Sequence, residues 1–198
     1  MSIFMVKKMN RGLLLLSGGI DSPVAGKIML NKNFEVYAVH FSQKDIVGEE
    51  TIIKCQKLAK LLNFKDLIIE DISQELISIA QKSNPKFYFV LMKRLMLRKA
   101  EKLAEKLNCQ FLITGENIGQ VSSQTSSNLY IINQASKIPV LRPLACLDKV
   151  EIIKMAKKFN TFEISNGPEV CDALGPKHPA TQSSKEIILK EEAKYILS

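Results

Sequence analysis

The stretch Leu13-Leu-Leu-Leu-Ser-Gly-Gly-Ile-Asp-Ser22 constrains most of what the rest of the chain can fold into. Four apolar residues in a row suit a short strand buried on both faces, as in the middle of a parallel sheet. Ser17-Gly18-Gly19 then interrupts it, because two residues without a Cβ let the backbone turn sharply around an anion. From Ser22 the run Pro-Val-Ala-Gly-Lys-Ile-Met-Leu reads as a helix, with Ser22 as N-cap and Pro23 at the first helical position, where its missing N–H costs nothing. Strand, glycine turn and helix start together make a phosphate cradle, since free N–H groups and the helix dipole converge on one spot.

Strand and helix patterns alternate through the remaining chain. Glu35 to Phe41, Lys65 to Glu70 and Cys109 to Gly115 read as strands, and Val140 to Leu144 as a fifth that Pro143 ends or confines to an edge. Helical periodicity covers Gly48 to Leu62, Asp71 to Lys82, Phe87 to Leu107 and Asp148 to Phe159, with Asp148 as a cap. The expectation is an α/β protein with one doubly wound, parallel five-stranded sheet in a single domain over 1–198. Residues 160–184, rich in Gly and Pro, read as an irregular segment carrying Cys171, and 185–197 as a terminal helix. In such sheets ligands sit beyond the carboxyl ends of the strands, and Ser17 to Ser22, His40 and Phe41, Gly115 to Gln124 and Cys146 to Lys149 all fall there.

Cys55 and Cys109 lie on apolar faces and read as core residues, and no Cys-x-x-Cys spacing supports zinc. The formal charge of +8 permits a polyanionic partner such as RNA without demanding one. Most of the cations between Phe87 and Leu107, namely Arg94, Arg98, Lys99, Lys102 and Lys106, read as a solvated helix face. No apolar run approaches membrane-span length and the first ten residues lack a signal-peptide pattern, so a cytoplasmic protein with no membrane partner is expected.

Ser-Gly-Gly-Ile-Asp-Ser resembles the pyrophosphate loop, or PP-loop, of the adenine nucleotide α-hydrolase-like ATP pyrophosphatases, enzymes that cleave ATP between its α and β phosphates. The backbone N–H groups of Gly18 and Gly19 and the hydroxyls of Ser17 and Ser22 suit the leaving pyrophosphate. Asp21 suits an accompanying Mg²⁺, an ion that phosphates and one or two carboxylates hold together. Further along, Thr114-Gly-Glu-Asn-Ile-Gly-Gln-Val-Ser-Ser-Gln-Thr125, Pro139-Val-Leu-Arg-Pro-Leu144, Asp148-Lys149, and Pro168-Glu-Val-Cys171 followed by Pro176-Lys-His-Pro179 resemble, in order, the tRNA 4-thiouridine synthase (tRNA sulfurtransferase) family.

That resemblance implies a reaction. ATP adenylates the oxygen on carbon 4 of a tRNA uridine, and sulfur from a persulfide donor, such as a cysteine desulfurase or a rhodanese, displaces AMP. It implies ATP contacts at Leu15, Leu16, His40, Phe41, Lys93, Gly115 and Gln124, with His40 alternatively a histidine at the edge of the core. It implies an adenylation role for Lys149, whose place in a helix first turn sits poorly with the dipole, and a sulfur-handling role for Cys171. Relatives carry a THUMP-containing RNA-binding module in front and some a rhodanese-like domain behind, neither of which is read in this chain. The expectations are therefore a catalytic subunit working with a separate THUMP-type protein, with Cys146 as a candidate second thiol, or the same chemistry on another acceptor, as in thiazole formation for thiamine. A non-catalytic ATP- or AMP-binding module is the remaining alternative.

Overall fold

A computed structural model describes residues 10–117, 125–167 and 173–196. Five strands, β1 (Arg11–Leu15), β2 (Glu35–Ser42), β3 (Leu67–Asp71), β4 (Phe111–Ile113) and β5 (Val140–Leu141), form one parallel sheet in the order β3-β2-β1-β4-β5. The helices are α1 (Asp21–Asn31), α2 (Lys44–Val47), α3 (Glu50–Leu62), α4 (Ser73–Lys82), α5 (Tyr88–Lys106), α6 (Ser126–Asn133), α7 (Lys149–Lys158), α8 (Phe162–Ser165) and α9 (Lys185–Ile196).

The leucine run is the hub of both cores. Successive side chains of a strand point to opposite faces, so Leu13 enters the layer of α4, α5, α6 and α9, with Val39, Leu76, Leu91, Leu112 and Ile188. Leu14 and Leu16 enter the layer of α1, α3 and α7, with Val24, Ala38, Leu58, Ile113 and Ile152. Leu13 and Leu14 are fully buried, which only a central strand covered on both faces permits. Strands are added on one side of β1 through β2 and β3, then on the other through β4 and β5. The chain therefore reverses its direction of travel between β1 and β4, and a crevice opens at their carboxyl ends.

Several expected boundaries shift for physical reasons. Ser22 is not the N-cap: α1 begins at Asp21 behind Ile20, and the Ser22 hydroxyl is committed to the turn before it. The third helix starts at Glu50, since Gly48, at φ 79°, ends the short α2 that precedes it. β5 is two residues long, ending before Pro143, and Leu144 reaches the core from a turn. Within 160–184 the chain forms α8, whose Phe162 and Ile164 pack on the α1 and α3 side. Asp148 does cap α7, through a reciprocal capping box with Glu151.

The solvated-face reading of α5 holds for Lys102 and Lys106, which are exposed, and fails for the three cations before them. Arg94 is 3% exposed, and its Nε and Nη2 donate to the Glu192 carboxylate at 2.7 and 3.1 Å while Nη1 donates to the Ile131 carbonyl. Arg98 reaches the same carboxylate at 2.5 Å. Lys99 bridges Glu70 on β3 and Glu75 on α4 at 2.9 and 2.6 Å. The triad joins α9 to α5 and α6, and removing its only anion leaves the buried Arg94 guanidinium, and the part-exposed Arg98, without their carboxylate. Glu192→Ala is expected to lower the unfolding free energy by about 3–5 kcal/mol in urea titration, whereas Lys102→Ala should stay within about 0.5 kcal/mol.

Candidate functional site

A cavity of about 710 Å³ lies over the carboxyl ends of β1, β2 and β4. Its floor includes Leu15, Leu16, His40, Phe41, Thr114 and Gly115; Ser17, Gly19, Asp21 and Ser22 form one rim; Phe89, Met92, Lys93 and residues 175–177 and 179 form the opposite wall. Most sequence-expected contacts therefore meet in one space. Gln124 and Cys171 lie outside the described residues, and Gly18 shapes the loop without lining the cavity.

The loop after β1 is held open from within. The Ser17 N–H donates to Ser22 Oγ at 3.0 Å, the two serine hydroxyls are 3.1 Å apart, and the Gly19 N–H leans on Ser17 Oγ at 3.3 Å. Gly18 sits at φ +81°, a conformation that side chains with a Cβ rarely adopt. Ile20, at the N-cap of α1, offers no side-chain cap, so the helix's first N–H groups face the rim with only the dipole to define their partner. A helix start of this kind favours an anion as partner. Gly115 completes it from the other side: a Cβ there would stand 2.6 Å from the Ser22 nitrogen, so the segment after β4 touches the backbone of the first turn of α1.

Charged groups are arranged on two sides. The Lys149 ammonium, itself outside the cavity lining, meets Asp21 Oδ1 on the rim at 2.6 Å, tying the start of α7 to the start of α1. On the β4 side, Glu116 lies between two cations: Lys93 Nζ is 2.8 Å from Oε1, while Arg142 Nη2 and Nε are 2.8 and 2.9 Å from Oε2. Thr114 Oγ1 donates to Oε2 at 3.3 Å and Arg142 Nη2 also donates to Asn133 Oδ1 at 2.8 Å. Burial would raise the Glu116 pKa, but Lys93 and Arg142 outweigh it and hold the carboxyl below its usual range. Glu116 and Arg142 were missed as site residues, although Glu116 directly follows Gly115 and Arg142 stands in the Arg-Pro-Leu motif. Lys177, within the Pro176-Lys-His-Pro179 motif, also lines the cavity, as do Gln43 and Thr51, which nothing in their local sequence marks.

The thiols divide as burial dictates. Cys55 is fully buried and donates to the Leu16 carbonyl at 3.6 Å; Cys109 is buried and its pKa is pushed up to about 11, chiefly by desolvation. Cys146 is exposed and outside the cavity lining.

His40 is an internal latch facing the cavity. Its Nδ1 is 2.9 Å from the Leu16 carbonyl, which can only accept, so Nδ1 carries the proton and Nε2 accepts from Thr51 Oγ1 at 3.3 Å. Burial pushes its pKa down, with the Leu16 bond partly opposing. Below about pH 6.5 the unfolded chain takes up the imidazole proton more readily than the folded chain, so this contribution is complete above that pH and fades as pH falls. The urea midpoint should drop between pH 7.5 and 5.5, and part of that drop should vanish in His40→Gln.

Residues 8–197 match the family model described as "Thiamine biosynthesis protein (ThiI)". The chain is 40% identical over 198 aligned residues to a probable tRNA sulfurtransferase of Thermoanaerobacter sp. (strain X514), covering 93% of this chain and 50% of that protein. It is 43% identical over 189 residues to a probable tRNA sulfurtransferase of Coxiella burnetii (strain RSA 493 / Nine Mile phase I), covering 92% and 48%. It thus spans about half the length of these curated relatives. A 4-thiouridine synthetase solved in complex with RNA and bound ATP superposes with a TM-score of 0.89 at 36% identity, over 94% of this chain and 50% of that one. NMN synthetase from Francisella tularensis, at 15% identity and a TM-score of 0.59 over 94% and 83%, shares the fold alone. On the extent of the family match and of the identity to these relatives, the chain belongs to the ThiI family of tRNA sulfurtransferases.

Proposed function

We propose that this chain carries the ATP-dependent thiolation of a tRNA uridine to 4-thiouridine. The observation that carries the reading is the uncapped start of α1, braced by Gly115 and opening into a cavity that a nucleotide would fill. A 36%-identical protein solved with RNA and ATP supports the same substrates here.

In this reading Ser17, Gly19 and Ser22 bind the β and γ phosphates, and Leu15, Leu16, His40, Phe41, Gly115 and Gln124 surround the nucleoside. His40, with both ring nitrogens engaged inside the protein, contributes by shaping the wall. The uridine oxygen O4 attacks the α-phosphorus, the bond to the bridging oxygen breaks, and pyrophosphate leaves. The outer sulfur of a donor persulfide then bonds to carbon 4 and AMP departs with O4. The Cys171 thiolate attacks the donor's inner sulfur, the S–S bond breaks, 4-thiouridine is released and Cys171 is left in a disulfide with the donor. Mg²⁺ would neutralise phosphate charge; among the described residues no cluster of three or more ligand side chains could cage it, so Asp21 fits as its single protein carboxylate beside the phosphates. Lys149, held at the rim by Asp21, supplies positive charge where it grows on the leaving oxygens. The formal charge of +8 favours an RNA partner.

Pyrophosphate release should require tRNA, repeated turnover should require a persulfide donor as well, and 4-thiouridine should accumulate in that tRNA. Release with neither, or a thiamine requirement with 4-thiouridine intact in cells lacking the gene, would overturn the tRNA assignment. Lys149→Met should lower kcat by roughly a hundredfold or more. Its thermal unfolding should barely move, because a pair this exposed contributes no more than about 1 kcal/mol.

A further inference from the structure

Lys93 lines the cavity and, on the family resemblance, contacts ATP, a role to which a carboxylate that neutralises it would add nothing. Lys93 nonetheless lies 2.8 Å from Glu116, with both side chains largely shielded, at 18% and 13% exposure. Taken as a pair, they present no net charge to the cavity they line. Arg142 changes this balance. It holds the other oxygen of the same carboxylate through two N–H groups, and it does so from outside the cavity lining, anchored by Asn133 at the end of α6. Two cations and one carboxylate leave the cluster a single positive charge, and of the two cations only Lys93 faces the cavity.

We propose that Arg142 is a positioning residue for nucleotide binding that acts at a distance: by satisfying Glu116 it leaves the charge of Lys93 uncompensated toward the phosphates. Glu116 is the joint between them. It fixes where the ammonium sits, and Arg142 prevents that fixing from cancelling the charge. A guanidinium suits the task because two of its N–H groups converge on one oxygen of Glu116 and leave the other to Lys93. The inference rests on nucleotide binding at this site.

Titration with ATP in the whole protein, followed by calorimetry, separates the two ideas. Wild-type protein that binds no ATP would overturn the nucleotide reading itself, and this inference with it. With binding established, Arg142→Gln, which leaves the cluster neutral, should weaken ATP roughly tenfold at low salt, with the deficit shrinking as salt rises. Arg142→Lys should stay within about threefold, since the charge survives and only the fork is lost. Glu116→Gln, which leaves two positive charges and keeps an amide oxygen that can still accept from the Lys93 ammonium, should bind ATP at least as tightly as wild type. The deciding variant is Glu116→Gln combined with Arg142→Gln: the single charge returns, and affinity should recover toward the wild-type value. A purely structural cluster predicts the reverse, with Glu116→Gln weaker than wild type and the double variant weaker than either single one. Either result, or an Arg142→Gln protein that binds ATP as well as wild type, would overturn the proposal. Should Arg142→Gln fail to fold, Glu116→Gln alone still decides by the direction of its change.

Discussion

The site depends on one close approach between backbones. The segment after β4 and the first turn of α1 lie so near each other at Gly115 that a single added carbon would stand 2.6 Å from the Ser22 nitrogen. This approach is possible because β1 and β4 are neighbours in the sheet while β1 feeds a helix on the opposite face from α5 and α6. It brings an anion-seeking helix terminus and a cluster carrying net positive charge onto the same cavity. Without it, the glycine loop would be an ordinary strand-to-helix turn.

Charge in this molecule is placed with different degrees of shielding for different ends. Arg94 and Glu192 are deep in the helical layer, where an unpaired member is costly, and with the part-exposed Arg98 they lock α9 against α5. Lys93, Glu116 and Arg142 are shielded less than the Arg94–Glu192 pair but more than the rim pair, and one member faces the cavity. Lys149 and Asp21 are partly exposed, so their pairing adds little stability and leaves both groups free to exchange partners when an anion arrives. Moving from core to rim, the same chemistry passes from structural to functional.

Much of the fold was legible in local pattern. The leucine run, the second and third strands and the capping box at Asp148 each carry their signal within a few residues. Cys55 and Cys109 were readable as interior because each sits within an apolar run or stripe. The misreadings share a cause. Arg94, Arg98 and Lys99 look like a wet helix face until their partners, Glu192 nearly a hundred residues away and Glu70 and Glu75 from the neighbouring strand and helix, are in place. Ser22 looks like a cap until Ser17 claims its hydroxyl. In each case a side chain's role was set by a partner that pattern reading does not supply.

Sequence alone determined the class of fold, the strand that everything packs around, and the glycine turn that follows it, because burial and backbone freedom act over neighbouring residues. It also assembled, through motif order, the list of residues that belong with that stretch. Only the tertiary structure decided how those residues divide the electrostatic work. It made His40 a neutral latch, set Lys149 on Asp21, and placed Glu116 between a lysine that faces the cavity and an arginine that does not. The reason is that charge and hydrogen bonding depend on distance in space, and each of these groups meets its partners from a different element of the fold.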